Sequence, residues 1–221
     1  MNKKRQVQTN HNHTFSVISI IILVLIVTSC GPALEPLPYI GDRQDTEGNV
    51  IQHEISPFTF VSQLGDTIRN QELNGKIYFA DFFFTSCPSI CPKVKKQMLR
   101  LYDRFGSHPD VLLVSHTIDP KRDSVSILKQ YAENLDVDHN KWLFLTGVKE
   151  ELLDIADDYF VAAYEDPSVP GGFDHSGKIL LLDKEGRIRS FCDGTDPESV
   201  DRFMKDVDRL IKGYERSATQ S

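Results

Sequence analysis

One stretch constrains the fold more than any other. Residues 76–84 read Lys-Ile-Tyr-Phe-Ala-Asp-Phe-Phe-Phe, apolar or aromatic throughout its length except at Lys76 and Asp81. A strand with one wet face alternates apolar with polar residues. A continuous apolar run instead marks a central strand covered on both faces. Residues 111–118 (Val-Leu-Leu-Val-Ser-His-Thr-Ile) repeat that pattern, and Trp142 to Leu145 is a third candidate strand.

Helical spacing fills the gaps between these strands. Val94, Met98, Leu101 and Phe105 recur at helix period, so the spacing predicts an amphipathic helix over 92–106 that stops at Gly106. Val125, Leu128 and Ala132 predict a second helix over 124–134. Leu152, Leu153 and Ala156 predict a third, capped by Thr146 and running to about Tyr159. Asp196-Pro197 is a cap followed by a first-turn proline, and it starts a last helix to about Gly213. Thr59 to Val61 and Thr67 to Arg69 form a hairpin around Leu64-Gly65-Asp66, and residues 179–182 and 187–191 another around Lys184-Glu185-Gly186. Residues 165–177, with two prolines and two adjacent glycines, are expected as a loop.

The order is an N-terminal β-hairpin, then β-α-β-α-β-α-β-β-α. It implies an α/β fold with a mainly parallel central sheet and helices on both faces. In such sheets sites gather at the carboxyl ends of the strands. Asp119 closes one such strand, and Cys87 lies three residues beyond another.

The start of the chain has a different character. Lys3, Lys4 and Arg5 precede an apolar run from Phe15 to Val27, broken only by Ser16 and Ser19. Val27-Thr28-Ser29-Cys30-Gly31 then puts small residues before a cysteine. The run is shorter than the roughly 20 residues a spanning helix needs, which favours a signal peptide. It resembles a bacterial lipoprotein signal, with lipidation at Cys30. The alternative is an uncleaved anchor helix. Both tether the body to a membrane on its extracytoplasmic, periplasmic side. The expected organisation is therefore 1–29 signal or anchor, 30–55 a Pro- and Gly-rich linker, 56–213 one domain, and 214–221 a tail. The formal charge is −7, and removal of the basic leader makes the body more acidic still. That excludes nucleic acid as a partner, since phosphate binding needs basic side chains.

Chemistry concentrates in Phe84-Thr85-Ser86-Cys87-Pro88-Ser89-Ile90-Cys91-Pro92. A cysteine pair between a buried strand and a helix start is poised toward thiolate, because a helix N-terminus favours negative charge. Redox pairs in thioredoxin-like proteins are spaced C-x2-C, and here the spacing is C-x3-C. Pro92 disfavours helical geometry at Cys91, which places the pair in a loop just before the helix as one option and on one helix face as the other. Either arrangement can chelate an ion or close a disulfide. Two sulfurs suit Cu(I), and an added imidazole also holds Cu(II). His175, in Gly-Gly-Phe-Asp-His-Ser-Gly, is the candidate third ligand and is expected to be presented from a flexible loop. His116 reads as a core histidine and Cys192 as a packed small side chain.

Three motifs in order, FFFTSCPSICP, TIDPKRD and DHSGKILLLDKEGR, resemble the SCO/SenC family over roughly residues 55–212. Those are thioredoxin-fold, copper-binding proteins that help assemble the copper centre of cytochrome c oxidase. The resemblance implies that Cys87, Cys91 and His175 ligate copper, Cu(I) or Cu(II), and that Asp119 lies near them and shapes the site. It implies as partner the copper-site subunit of the oxidase or another copper protein. Ser86 and Ser89 depart from the family's usual His or Asn before the first cysteine and Asp inside the pair. A thiol-disulfide oxidoreductase acting through Cys87 and Cys91 as a redox-active pair is the alternative. A peroxidase is a third reading, weakened by the missing upstream proline.

Overall fold

The computed structural model describes residues 35–219. Two very short strands, β1 (Arg43–Gln44) and β2 (Val50–Ile51), pair with each other. The main elements follow as β3 (Thr59–Ser62), β4 (Thr67–Arg69), β5 (Ile77–Phe83), α1 (Cys91–Phe105), β6 (Val111–Thr117), α2 (Val125–Asn134), β7 (Trp142–Thr146) and α3 (Lys149–Asp158). Then come β8 (Ala163–Glu165), β9 (Phe173–His175), β10 (Lys178–Leu182), β11 (Ile188–Asp193) and α4 (Pro197–Thr219).

Seven strands form one sheet in the order β11-β10-β5-β6-β7-β3-β4. All seven residues of β5 are buried, as its unbroken apolar pattern requires. Its two faces meet different helices. Phe79 packs on Phe105 of α1 and Phe203 of α4, and Phe83 on Tyr131 of α2. Phe82 and Tyr78 meet Tyr159, just past α3, on the opposite face. Right-handed crossovers explain this, because β5-α1-β6 and β6-α2-β7 run in one direction and so place both helices on one side.

The fold departs from expectation in five places. The sheet is mixed in its pairing rather than mainly parallel: only the β5–β6 and β6–β7 pairs are parallel, while β10, β11, β3 and β4 join antiparallel. The run of apolar strands could not show this, since both sheet types bury such strands when helices cover them. Thr146 does not cap α3. It is the last residue of β7, and the helix begins after Val148 with no side-chain cap. Gly147 intervenes because a Cβ there would stand 2.6 Å from the Phe60 ring.

Residues 165–177 are not a simple loop, since β8 and β9 pair within and beside them as a small antiparallel hairpin. The stretch expected as a tail continues α4 to Thr219, held by Tyr214, whose hydroxyl donates to Glu185. Finally, the expected linker is packed over residues 37–42. Leu37 is buried, the Ile40 N–H donates to the Ile188 carbonyl (2.9 Å), and Arg189 donates to the carbonyls of Leu37 and Pro38. Arg187 clamps both oxygens of Asp42 at 2.7 Å, and Tyr39 lies against both guanidinium groups. The signal or anchor segment, with Cys30, lies outside the described residues.

Candidate metal centre

β5 delivers the chain to its carboxyl end at Phe83, and the turn Phe84–Ile90 leads into α1. Cys87 lies in that turn, where its N–H donates to the Phe84 carbonyl (3.2 Å). Cys91 is the first residue of α1, with Ile90 already in helical conformation. Pro92 therefore does not hold Cys91 outside the helix. A first-turn proline is tolerated because its missing N–H would have had no intrahelical acceptor.

His175 ends β9, cross-strand from Ala163. It is buried, not presented from a flexible loop. Phe84 stacks edge-on against its ring and packs on Phe173 beside it. Gly171 has φ +94°, and a Cβ there would reach within 2.8 Å of Phe84 and 3.2 Å of Pro88. Gly171 thus serves close packing of this segment across the cysteine turn.

The result is a cluster of three. His175 Nε2 stands 3.4 Å from Cys91 Sγ and 4.0 Å from Cys87 Sγ. All three ligand atoms lie within 4.8 Å of one another, and among the described residues no other trio of His, Cys or acidic side chains is so arranged. A metal bonded at about 2.3 Å to sulfur and about 2.0 Å to nitrogen separates those two atoms by roughly 3.5–3.7 Å. The observed separations bracket that range, so the residues fit a soft ion with small adjustments. His175 Nδ1 is buried without a partner, and Nε2 is the nitrogen that faces the sulfurs.

The two thiols are unequal. Burial opposes ionisation of Cys87. Hydrogen bonds from the Cys91 thiol and from the Cys91 and Ser89 backbone outweigh it, and the Ser89 hydroxyl, 3.7 Å from the sulfur, adds to them. The Cys87 pKa is thereby lowered. Burial pushes Cys91 well up, and its role as donor to Cys87 pushes it further. Burial lowers the His175 pKa, which keeps the imidazole neutral and able to ligate near pH 7. Beneath Cys91, a small cavity is lined by Asp81, Ser115, Tyr131 and Trp142. Asp81 accepts from Ser115, which accepts from the Trp142 indole N–H (2.8 Å), and burial raises the Asp81 pKa to about 7.

Asp119 turns its carboxylate to Arg122 (2.6 Å). The acid that touches the cysteine turn is Asp123, four residues on. It is fully buried and accepts from Thr85 N (3.0 Å), Thr85 Oγ1 and Thr117 Oγ1 (2.6 Å). Sequence reasoning missed it, although it closes the same Asp-Pro-Lys-Arg-Asp stretch that drew attention to Asp119. His116 is a core histidine, caged by Phe58, Phe60, Phe82 and Tyr159 with neither ring nitrogen partnered. Cys192 is a buried free thiol on β11, its pKa pushed up to about 12 by burial.

Comparison with known proteins adds the decisive observation. The family model described as SCO1/SenC matches residues 46–212, more than half of the chain. The chain belongs to the SCO1/SenC family. Among curated SCO1/SenC relatives, the SCO1 protein homolog of Bacillus subtilis (strain 168) is 30% identical over 159 residues, 71% of this chain and 82% of its own length. Of solved SCO structures, BsSco, a member of the Sco family of cytochrome c oxidase assembly proteins with a disulfide switch, aligns with TM-score 0.65 and 26% identity over 80% of this chain and 98% of that one. Arabidopsis thaliana ScoI with copper bound aligns with TM-score 0.61 and 28% identity over 72% of this chain and 98% of that one. The thioredoxin-like architecture of the SCO1/SenC proteins is therefore the architecture of this chain.

Proposed function

We propose that this protein is a membrane-tethered copper carrier that binds one ion through Cys87, Cys91 and His175 and helps assemble the copper centre of cytochrome c oxidase. One observation carries the reading: a neutral imidazole nitrogen stands 3.4 and 4.0 Å from two sulfurs at the carboxyl end of a central strand. Family membership and the copper-bound Arabidopsis relative support copper as the ion, and the description of BsSco supports the oxidase as client. Two thiolates and one imidazole satisfy Cu(I) and also hold Cu(II), and three ligands leave room for an acceptor's ligand to enter. The pattern around Cys30 supports a lipid anchor, with the domain on the extracytoplasmic side. Among the described residues, no helix is long and apolar enough to cross a membrane.

Copper titration of the full-length protein tests this. Wild type is expected to take up one ion per chain with strong thiolate-to-copper charge transfer. Cys87→Ser and Cys91→Ser are expected to lose tight binding, and His175→Ala to weaken it at least tenfold. A His175→Ala variant that binds like wild type sinks the site assignment.

The unequal thiols support a second reading, a thiol-disulfide oxidoreductase with Cys87 attacking and Cys91 resolving. Reductase activity indifferent to His175→Ala and to copper would favour it over the carrier.

A further inference from the structure

We infer that Asp123, acting through Thr85, is a positioning residue that holds Cys87 at the right place in the metal centre, an inference that rests on the copper reading above. The cysteine turn leaves β5 after Phe83, and β6 ends directly beside it, with Phe83 and Thr117 in register. The two strands then diverge into separate connections. One side-chain carboxylate joins those connections again. Asp123 accepts from the backbone and the hydroxyl of Thr85, two residues before Cys87, and from the hydroxyl of Thr117. Its own segment is closed by the Asp123 N–H donating to the Asp119 carbonyl (2.9 Å).

The chemistry of Asp123 argues for placement over bulk stability. A buried carboxylate is costly without a cation or hydrogen bonds. Asp123 is fully buried, and the described donors on it are the neutral groups of Thr85 and Thr117. An ionised oxygen accepts shorter, stronger and more directional bonds than a neutral one. Two of these bonds end on Thr85, which fixes both its backbone and its side chain. The following residues to Cys87 have little other freedom, since the Cys87 N–H is held by the Phe84 carbonyl. Cys87 is also the ligand farther from His175, at 4.0 Å against 3.4 Å for Cys91, whose position α1 already sets. A small displacement of the turn therefore removes Cys87 from the trio first.

The test uses full-length protein carrying Thr85→Val, Thr85→Ser or Asp123→Asn. Thr85→Val is nearly isosteric and keeps the backbone donor, so it guards against the unfolding that a truncation at Asp123 invites. Equal near-ultraviolet circular dichroism checks the fold. Outer partners of metal ligands typically contribute about 10–100-fold in affinity. Thr85→Val and Asp123→Asn are expected to weaken Cu(I) binding by about that factor, measured by competition with a chelator, and to shift the Cu(II) charge-transfer band. Thr85→Ser restores the hydroxyl and is expected to bind within about threefold of wild type. Copper-free protein supplies an independent reading. The equilibrium constant for oxidation of the Cys87–Cys91 pair against glutathione is expected to change about tenfold in Thr85→Val and little in Thr85→Ser. If wild type binds copper and Thr85→Val binds it equally with the same spectrum, the inference is overturned and the copper reading stands. If wild type does not bind copper, the copper reading falls. An oxidation constant equal in wild type and Thr85→Val then overturns the positioning role as well.

Discussion

Asp81 is the polar exception in the most apolar strand of the protein, and its environment makes it a measurable burden. It is buried against Ser115, and burial raises its pKa from 3.8 to about 7. The unfolded chain loses this proton near pH 4 and the folded chain near pH 7. Between those values the folded state holds more protons, so stability from this group is full below about pH 4 and declines as pH rises toward 7. Asp81→Asn mimics the protonated acid. It is expected to stabilise the protein by on the order of 2 kcal/mol at pH 7.5 and by little at pH 4, read from urea unfolding at both values. Equal gains at both pH values would remove Asp81 as the cause. His116 has the opposite linkage. Its folded pKa falls to about 3 through burial, so the stability of its neutral cage is complete above pH 6.5 and declines as pH drops below that.

At the scale of elements, the β8–β9 hairpin decides where His175 stands, and Gly171 decides where the hairpin stands. A side chain at residue 171 meets both a backbone at φ +94° and the ring of Phe84. Gly171→Ala is expected to destabilise the fold by about 1–2 kcal/mol. It also displaces the segment that carries His175, so copper affinity is expected to fall about tenfold, approaching His175→Ala. Chemical denaturation and chelator competition on the same variant separate the two effects. Wild-type affinity in a destabilised Gly171→Ala would show that the hairpin reaches its place without this contact. α1 contributes differently. Its start fixes Cys91 regardless of the hairpin, because Val94, Met98 and Leu101 bury its face in the core.

At the scale of the whole described body, residues 36–42 are part of the fold. Tyr39 lies 3.9 Å from Arg187 and 4.1 Å from Arg189, and Arg189 also bonds buried Asp183 (2.9 Å). Tyr39→Ala removes both ring contacts and is expected to cost about 1–2 kcal/mol, read as a lowered urea midpoint with unchanged copper stoichiometry. A variant with the wild-type midpoint would return residues 36–42 to the status of a loose tether.

Much of this was legible in local pattern. The central strand, the four helices and the two hairpins follow from periodicity and turn residues, because those signals are set by neighbours in the chain. The cysteine pair was legible for the same reason, as was its place between a strand and a helix. Three matters were decided only in three dimensions. The antiparallel flanks of the sheet depend on which strand edges meet. The burial of His175 depends on Phe84, more than eighty residues earlier. The choice of Asp123 over Asp119 as the acid on the cysteine turn depends on the register of β5 against β6. Each is a contact between residues distant in sequence, and local pattern carries the preference of a segment for a shape, not its choice of neighbour.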